Sequence, residues 1–315
     1  QSDLIWVKER SVNSGGTGSH RVYDYNRGTF GNWMSTDSTG SYTDTASGTL
    51  GVVNSTGFTV GTDNDLNDSG GTYVAWCWKA GGTTTSNTSG SVTSSVNVNQ
   101  TAGFSIVTYT SPNNTSDATV GHGLSSAPQF IIAKNRDRGY NWDIWHQNLS
   151  SGYGLTFDST GTSQASGRWS TTTPTGSVFT AKYNYQHYST DRYVAYCWTP
   201  IDGYSKFGTY SGNGSTDGPF IYTGFRPKFI LLKGAGANQE WIISDSSRST
   251  VLSANPIDKT LQANSTGSEA TGNEIDFLSN GFKIRNSGGG VNYAAANPYI
   301  YAAFAEAPFK FANAR

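Results

Sequence analysis

One sequence pattern occurs three times along this chain. Each copy contains a short apolar run that ends in a lysine, and these runs lie at 4–8, 130–134 and 229–233. Each copy closes on an aromatic segment, at 73–78, 193–198 and 299–304. A repeat of roughly 100 residues is too long for one coil of a solenoid and fits a small all-β domain. The repeat therefore predicts a series of similar β-modules.

The composition narrows the possible partners. The 315 residues are enough for three modules, each with its own core. Charged residues make up 14% of the chain and the net charge is -1, so we expect no binding to nucleic acid or to an anionic membrane. Aromatic residues make up 13%, which favours a folded chain over a disordered one. No run approaches the length of a membrane-spanning helix, and membrane insertion is not expected.

The module boundaries follow from the positions of the repeats. We place module 1 at 1–80, module 2 at 103–204 and module 3 at 205–315. Residues 81–102 carry no charge and are rich in Ser, Thr and Gly, so they form either a linker or an edge strand. Modules 2 and 3 open with a strand-like segment that module 1 lacks. We therefore expect residue 1 to be a boundary within a longer chain, with the first strand of module 1 missing or upstream.

Module 2 has the clearest strand pattern. Seven strand-like segments are expected near 104–110, 118–121, 129–135, 142–147, 153–158, 178–185 and 192–198. Turns rich in Gly, Pro, Asn and Ser separate them, and evidence for helix is thin. The prediction is an all-β chain of three tandem antiparallel β-sandwich modules, jelly-roll or lectin-like, of roughly 100 residues each.

No metal site or cofactor is predicted. The histidines show no spacing typical of zinc ligands, and Cys77 and Cys197 are expected to be small buried residues in equivalent strands. Asp63, Asp65 and Asp68 are a weak calcium candidate, because their loop lacks the glycine and distal glutamate of an EF-hand. A solvated hairpin loop is the favoured interpretation of these three carboxylates.

A polar residue recurs at the end of one apolar strand in every module. The three positions are Asp24, His146 and Asp245, and Arg27 and Arg248 follow two of them. A carboxylate beside an arginine could bind a sugar hydroxyl or could form a hydrogen-bonded pair at the strand end. Because the position recurs in all three modules, the structural role is favoured.

The sequence contains no motif that predicts catalysis. Glutamate occurs five times and never at a repeated position, whereas glycosidases need paired carboxylates in a cleft. No nucleophile elbow or phosphate-binding loop is present. We therefore expect a protein without enzymatic activity. A polysaccharide-degrading function would require a carboxylate pair that only folding could assemble.

Aromatic residues in segments that differ between modules are the candidates for binding. Sugars stack their C–H faces on aromatic rings, while Asn, Asp and Ser meet their hydroxyl groups. The candidate glycan-binding residues are Trp33, Trp169, Tyr183, Tyr185, Tyr188 and Tyr293. The alternative is that these rings pack beneath the sandwich or at a subunit interface.

Several long segments resemble a repeat domain found in marine and cyanobacterial phage proteins. They lie at 72–81, 102–110, 120–124, 203–208 and 306–315, and the resemblance covers nearly the whole chain. It implies a β-sandwich module from a tail fibre or virion appendage, and fibres of this kind are commonly homotrimers. It implies no catalytic or binding residues.

The expected function is that of a phage virion structural protein. It would be a tail fibre or receptor-binding appendage on the virion surface, assembled in the host cytoplasm, that attaches to host cell-surface polysaccharide without catalysis. Its partners would be its own copies in a homotrimer, other virion proteins and the host glycan. The alternative is a capsid or tail decoration protein that cements the particle without receptor binding.

Overall fold

The computed structural model describes residues 1–11, 15–28, 32–41, 49–163, 167–249, 255–294 and 298–305. Strands account for 43% and helices for 4%, which confirms the all-β prediction. The chain forms two compact units: unit 1 comprises 1–145, 149–158 and 164–199, and unit 2 comprises 146–148, 159–163 and 200–315. Within the described ranges, no helix is long and apolar enough to cross a membrane.

The N-terminal part of unit 1 is a small antiparallel sheet with a separate hairpin. Its elements are β1 (Leu4–Glu9), β2 (Arg21–Asp24), a 3-10 turn (Tyr25–Arg27), β3 (Leu50–Val53), β4 (Phe58–Val60), α1 (Asn64–Asn67) and β5 (Tyr73–Trp78). The sheet order is β2-β1-β5, and β3 pairs with β4. Because alternate side chains share one face of a strand, Ile5, Val7 and Tyr23 meet Leu50 in one core.

The rest of unit 1 has two layers. Its strands are β6 (Thr85–Asn87), β7 (Ser94–Asn99), β8 (Phe104–Thr110), β9 (Ala118–Gly121), β10 (Phe130–Asn135), β11 (Trp142–His146), β12 (Leu155–Thr156), β13 (Val178–Ala181) and β14 (Arg192–Trp198). The last residue of β11, His146, is counted with unit 2. A seven-stranded sheet has the order β12-β11-β10-β14-β8-β7-β6, and β13 pairs with β9. Val107, Ile131 and Ala195 from the sheet and Phe179 from the hairpin share one buried core.

Unit 2 is built on one eight-stranded sheet. Its elements are β15 (Ser205–Tyr210), β16 (Phe220–Tyr222), β17 (Pro227–Gly234), β18 (Ile242–Asp245), β19 (Ile257–Gln262), β20 (Ala270–Leu278), β21 (Gly281–Ile284), α2 (Gly289–Asn292) and β22 (Tyr299–Ala305). The order is β15-β22-β17-β18-β19-β20-β21-β16. Tyr210 and Ile221, from the two end strands, belong to the same core, so the sheet folds around its apolar side chains.

The three repeated lysines have the same place in the strand pairing. Each lies in a strand that pairs antiparallel with the closing aromatic strand of its repeat. The cross-strand pairs are Lys8–Val74, Lys134–Val194 and Lys233–Ile300. The sequence repeat is therefore also a repeat of strand pairing and register.

The predicted strands of module 2 are all present, with small shifts at their ends. They correspond to β8–β14, although β13 ends at Ala181 and β12 has only two residues. Residues 81–102 contain β6 and β7, and β7 pairs with β8 along its whole length. This segment is therefore part of the sheet and not a linker. Cys197 is fully buried as predicted, whereas Cys77 is exposed and the prediction for it is wrong.

Candidate functional site

Three tyrosine rings lie together on the surface of unit 1. The ring centroids of Tyr140 and Tyr188 are 6.1 Å apart and edge-to-face, and those of Tyr183 and Tyr188 are 6.3 Å apart with planes inclined by 26°. Tyr140 is 39% exposed, and the other two side chains are half-buried. We call Tyr140, Tyr183 and Tyr188 the tyrosine patch. It contains two of the six predicted glycan-binding residues.

Two loops of the same sheet supply the tyrosine patch. Tyr140 lies in the turn between β10 and β11, and Tyr183 and Tyr188 lie in the loop between β13 and β14. Because β10 and β14 are hydrogen-bonded neighbours, these loops emerge beside each other. Asn184 and Ser189 adopt left-handed backbone angles of φ 69° and 49°, and asparagine tolerates this region better than most residues.

A hydrogen-bonded network fixes the turn that carries Tyr140. The side-chain oxygen of Asn135 accepts bonds from the backbone amides of Asp137 and Arg138, both at 2.8 Å. Its side-chain nitrogen donates to Asp191 at 2.9 Å, and Arg138 Nε donates to the same carboxylate at 2.6 Å. The Arg138 guanidinium then lies 5.0 Å from the ring centroid of Tyr188. Asp191 therefore ties the two loops together.

The loop of Tyr183 and Tyr188 is held from below by polar side chains. The amide of Tyr183 donates to Asp117 at 3.1 Å, and the amide of Tyr188 donates to the Ser111 hydroxyl at 3.3 Å. His187 Nε2 lies 2.9 Å from the Asn114 side-chain oxygen. Burial lowers the pKa of His187, so its ring is neutral near pH 7. The loop is thus held in place without a buried charge on this ring.

The charges around the tyrosine patch are paired. Arg138 faces Asp191, and Arg192 donates to both carboxylate oxygens of Asp137 at 2.5–2.9 Å. Partial burial would raise the pKa of Asp137, but the bonds from Arg192 outweigh it and hold the pKa below its usual range. Aromatic faces beside donors and acceptors of both charges suit a polyhydroxylated ligand, since rings stack on C–H faces while the charged groups bind hydroxyls.

The other predicted aromatic residues lie elsewhere. Trp169 is only 2% exposed and belongs to the core of unit 1. It is therefore a core residue, and its prediction as a glycan-binding residue is wrong. Trp33 is half-buried beneath the Arg21 guanidinium, at 3.6 Å from the ring centroid. Tyr185 is half-buried beside another guanidinium group. Tyr293 is 49% exposed in unit 2. None of these four completes the tyrosine patch.

Sequence reasoning missed Tyr140, Arg138 and Asp191. Tyr140 and Arg138 occur in a charged turn, Asn-Arg-Asp-Arg-Gly-Tyr, directly after an apolar strand. Such a turn between two buried strands must lie at the surface, and that was the available signal. Asp191 precedes the closing aromatic strand and could be matched to this turn only through the pairing of β10 with β14.

The repeated strand-end position forms a buried polar joint in unit 1. Asp24 is ion-paired with Arg27 and accepts a bond from the Tyr196 hydroxyl at 2.6 Å. The Asn26 side-chain amide donates to the carbonyl of Ile106 at 2.8 Å. Asp24 lies in the three-stranded sheet and Tyr196 in the seven-stranded sheet, so these bonds join the two sheets.

Unit 2 contains a matching set of contacts. His146 Nε2 lies 3.2 Å from the carbonyl of Tyr301, and the Gln147 side-chain amide donates to the carbonyl of Phe207 at 2.8 Å. Burial lowers the pKa of His146 to about 4, so its ring is neutral at pH 7. Asp245 pairs with Arg248 at 2.6 Å, and both side chains are buried. In all three repeats the position makes structural contacts.

The repeated lysines are buried cations held by backbone carbonyls. Lys134 Nζ donates to the carbonyls of Tyr140 at 2.6 Å and Thr39 at 2.9 Å. Lys233 Nζ also donates to two carbonyls, one of them six residues ahead. Burial lowers the pKa of Lys134, Lys233 and Lys8 to about 8. Lys134 thus fixes the backbone of the turn that displays the Tyr140 ring.

The three carboxylates of the calcium candidate have other partners. Asp65 accepts bonds from the backbone amides of Thr17 and Gly18 at 2.6 and 2.8 Å and is ion-paired with Arg21. Asp63 caps α1 by accepting from the Asp65 amide at 3.0 Å, and Asp68 accepts from the Ser69 amide at 2.9 Å. Among the described residues, no three His, Cys, Asp or Glu side chains are placed to hold a metal ion. These carboxylates fix the loop before β5.

Comparison with known proteins gives a family without an assigned activity. A family model described as "Domain of unknown function (DUF7483)" matches residues 1–308. No curated protein and no solved structure matches the chain. The surface chemistry of the chain itself is therefore the available guide to function.

Proposed function

Because this chain belongs to the family described as Domain of unknown function (DUF7483), we propose its function from its geometry and from the resemblance of its repeats to phage virion proteins. The chain is a structural and receptor-binding protein of a phage particle, displayed on the virion surface in a tail fibre or appendage. It attaches to a host surface glycan and has no catalytic role. Its partners are its own copies in a homotrimer and other virion proteins.

The architecture we propose is three tandem β-sandwich modules. Its support is the recurrence of one strand pair, with a buried lysine at the same register, in each repeat. The polar strand-end joints of unit 1 and unit 2 are also similar, since a side-chain amide shortly after the repeated position donates to a backbone carbonyl of an opening strand, Asn26 to Ile106 and Gln147 to Phe207. A module that repeats its joints as well as its core is typical of an extended appendage.

The tyrosine patch is the observation that carries the binding proposal. Three aromatic rings lie on two loops anchored by Asn135, Asp191 and Lys134, so the surface is ordered before a ligand arrives. Rigid aromatic side chains bind at low cost in conformational entropy. The paired charges around the rings favour a neutral or weakly charged sugar over a polyanion.

Substitution of Tyr188 tests this proposal, because its ring contacts both other members of the tyrosine patch. The purified chain is incubated with intact marine and cyanobacterial cells, with and without chemical removal of their surface polysaccharide. Its mass in solution is measured in parallel. We expect saturable binding that disappears with the polysaccharide, and Tyr188→Ala should weaken it about tenfold. Tyr222→Ala is the matched control, because Tyr222 is 60% exposed and lies outside the patch.

Two results would contradict the receptor role. If the correctly assembled chain binds no cells, the decoration protein that cements the particle becomes the better interpretation. If Tyr222→Ala weakens binding as much as Tyr188→Ala, the tyrosine patch is not the binding surface. Release of reducing sugar from the polysaccharide would overturn the non-catalytic assignment.

A further inference from the structure

Among the strands that the structure describes, one strand of unit 1 has an edge without a hydrogen-bonded neighbour, whereas its two equivalents are paired on both sides. In the described residues, β5 pairs with β1 only. The equivalent strands β14 and β22 are each paired on both sides, with β8 and β15 on the second side. The strands around the closing strand follow the same order in all three repeats, β2-β1-β5, β11-β10-β14-β8 and β18-β17-β22-β15, apart from the neighbour that β5 lacks.

The open edge coincides with an uncovered core face. Ala75 and Cys77 of β5 are both exposed, whereas their equivalents Ala195 and Cys197 are fully buried. The side chains are the same in both strands, so the difference comes from what covers them. An apolar face that is buried in two copies and bare in the third marks an interaction surface.

The hydrogen-bonding groups of the open edge can be identified. The amide of Arg10 donates to the carbonyl of Thr72 at 2.7 Å, so the even-numbered residues of β5 face β1. The N–H and C=O groups of Tyr73, Ala75 and Cys77 therefore point away from β1. No described residue pairs with them.

The equivalent strands define the chemistry of the missing partner. Tyr109 of β8 stacks on Tyr193 with centroids 5.4 Å apart, and Tyr210 of β15 stacks on Tyr299 at 5.0 Å. Tyr73 is the equivalent of Tyr193 and Tyr299, and no described ring stacks on it. The two strands that cover β14 and β22 share a four-residue pattern: a bulky apolar residue, then Val or Gly, then Thr and Tyr. It lies at 106–109 in β8 and at 207–210 in β15.

We propose that β5 binds an antiparallel strand with this bulky–small–Thr–Tyr pattern, supplied by a partner protein and not by a second copy of this chain. The pattern occurs only twice in the sequence, and both copies are already paired within their own sheets. A second copy of the chain would have to break one of those pairings to donate a strand. The incoming strand would add main-chain bonds to Ala75 and Cys77 and place a tyrosine on Tyr73.

A peptide of residues 102–111 tests the proposal with the full-length chain. The peptide should bind saturably and should slow the reaction of Cys77 with a thiol reagent, while Cys197, which is fully buried, provides the internal control. In the β8 register, Val107 lies in a hydrogen-bonded pair, so N-methylation there should abolish binding. N-methylation at Thr108, which faces the other way, should not. Tyr109→Ala in the peptide should weaken binding roughly three- to tenfold.

A matched pair of variants tests the edge itself. The N–H of Ala75 points away from β1, so Ala75→Pro removes one hydrogen-bond donor of the open edge without removing a bond to β1. Circular dichroism confirms that the variant is folded. Ala75→Pro should lose peptide binding, and Ala75→Ser should keep it.

Three outcomes would overturn the proposal. No peptide binding by the folded chain would show that the edge does not accept a strand of this type. Binding that is insensitive to N-methylation at Val107 would place the peptide elsewhere. Self-association of the chain that disappears in Ala75→Pro would show that the strand comes from a second copy of the chain and not from a partner protein.

Discussion

Replacement of Lys134 by methionine tests whether the buried lysines are energetically coupled to the fold. The pKa of Lys134 falls from 10.5 to about 8 on burial. At about 1.4 kcal/mol per pKa unit, keeping this ammonium charged in the folded chain at pH 7 costs roughly 3 kcal/mol. Methionine has a similar length and no charge, so Lys134→Met removes this cost.

The sign of the pH effect follows from the two pKa values. Between pH 8 and 10.5 the unfolded chain keeps a proton that folded Lys134 has released, so unfolding takes up a proton. The free energy of unfolding therefore rises with pH, by up to about 1.4 kcal/mol per pH unit for this lysine. Above pH 10 buried tyrosines oppose the rise, since burial raises the pKa of Tyr301 to about 12 and unfolding then releases a proton. The useful range is pH 8 to 9.5.

Urea unfolding followed by tryptophan fluorescence at several pH values within this range measures the effect. The slope of unfolding free energy against pH should be lower in Lys134→Met than in the wild type by about 1 kcal/mol per pH unit. Lys182→Met, at a partly exposed lysine of the same unit, is the control for replacing a lysine by methionine. Equal slopes in Lys134→Met and wild type would refute the argument.

The stability of Lys134→Met at pH 7 is a weaker test than the slope. The carbonyls of Thr39 and Tyr140 lose their ammonium donor, and each unsatisfied buried acceptor costs about 1–3 kcal/mol. This loss opposes the gain of roughly 3 kcal/mol from removing the buried charge. The two terms are of similar size, so the net change at pH 7 is small compared with either.

Two further substitutions test the structural contacts of unit 1 by the same unfolding assay. Tyr196→Phe removes the bond to the Asp24 carboxylate and should lower the free energy of unfolding by about 1.5–3 kcal/mol; no change would mean that the joint between the two sheets does not contribute to stability. Asp65→Asn removes the closer of the two carboxylates paired with the buried Arg21, leaving Asp63 at 3.4 Å, and should lower the free energy of unfolding by up to about 3–5 kcal/mol. Added calcium should not shift the wild-type melting temperature, and a clear rise would restore the calcium interpretation of Asp63 and Asp65.

The strands and their repeat could be predicted because their signals are local. Alternating apolar residues and turn-forming residues define β8, β10 and β14 to within one residue. The recurring lysine aligned the three repeats with one another. A residue that ends each apolar run at the same offset occupies the same cross-strand position in each repeat. The strand-end position of Asp24 was also interpretable, because a polar residue that recurs in every module is more economically explained by the fold than by a ligand.

The exposure of loop side chains could not be predicted, because it depends on contacts distant in sequence. Trp169 and Tyr188 both lie in loops that differ between repeats. The Trp169 ring nevertheless packs against the Phe179 ring, with centroids 6.5 Å apart, whereas Tyr188 is partly exposed to solvent. The tyrosine patch exists because strand pairing brings the turn of Tyr140 next to the loop of Tyr188. Nothing in either segment alone indicates this neighbour.

The closing strands show the same limit at the level of a whole surface. Residues 73–75 and 193–195 both read Tyr-Val-Ala, and cysteine and tryptophan follow in both strands at the same offsets. Even so, Cys77 is exposed and Cys197 is buried. A side chain's burial is set by the strand that covers it, and β8 covers one of these strands and not the other. The uncovered strand differs from the covered one only at Trp76 and retains its requirements: the outward amides and carbonyls of Tyr73, Ala75 and Cys77, and a tyrosine face placed to receive a neighbour. An exposed surface with the sequence of a buried one is therefore evidence for a partner.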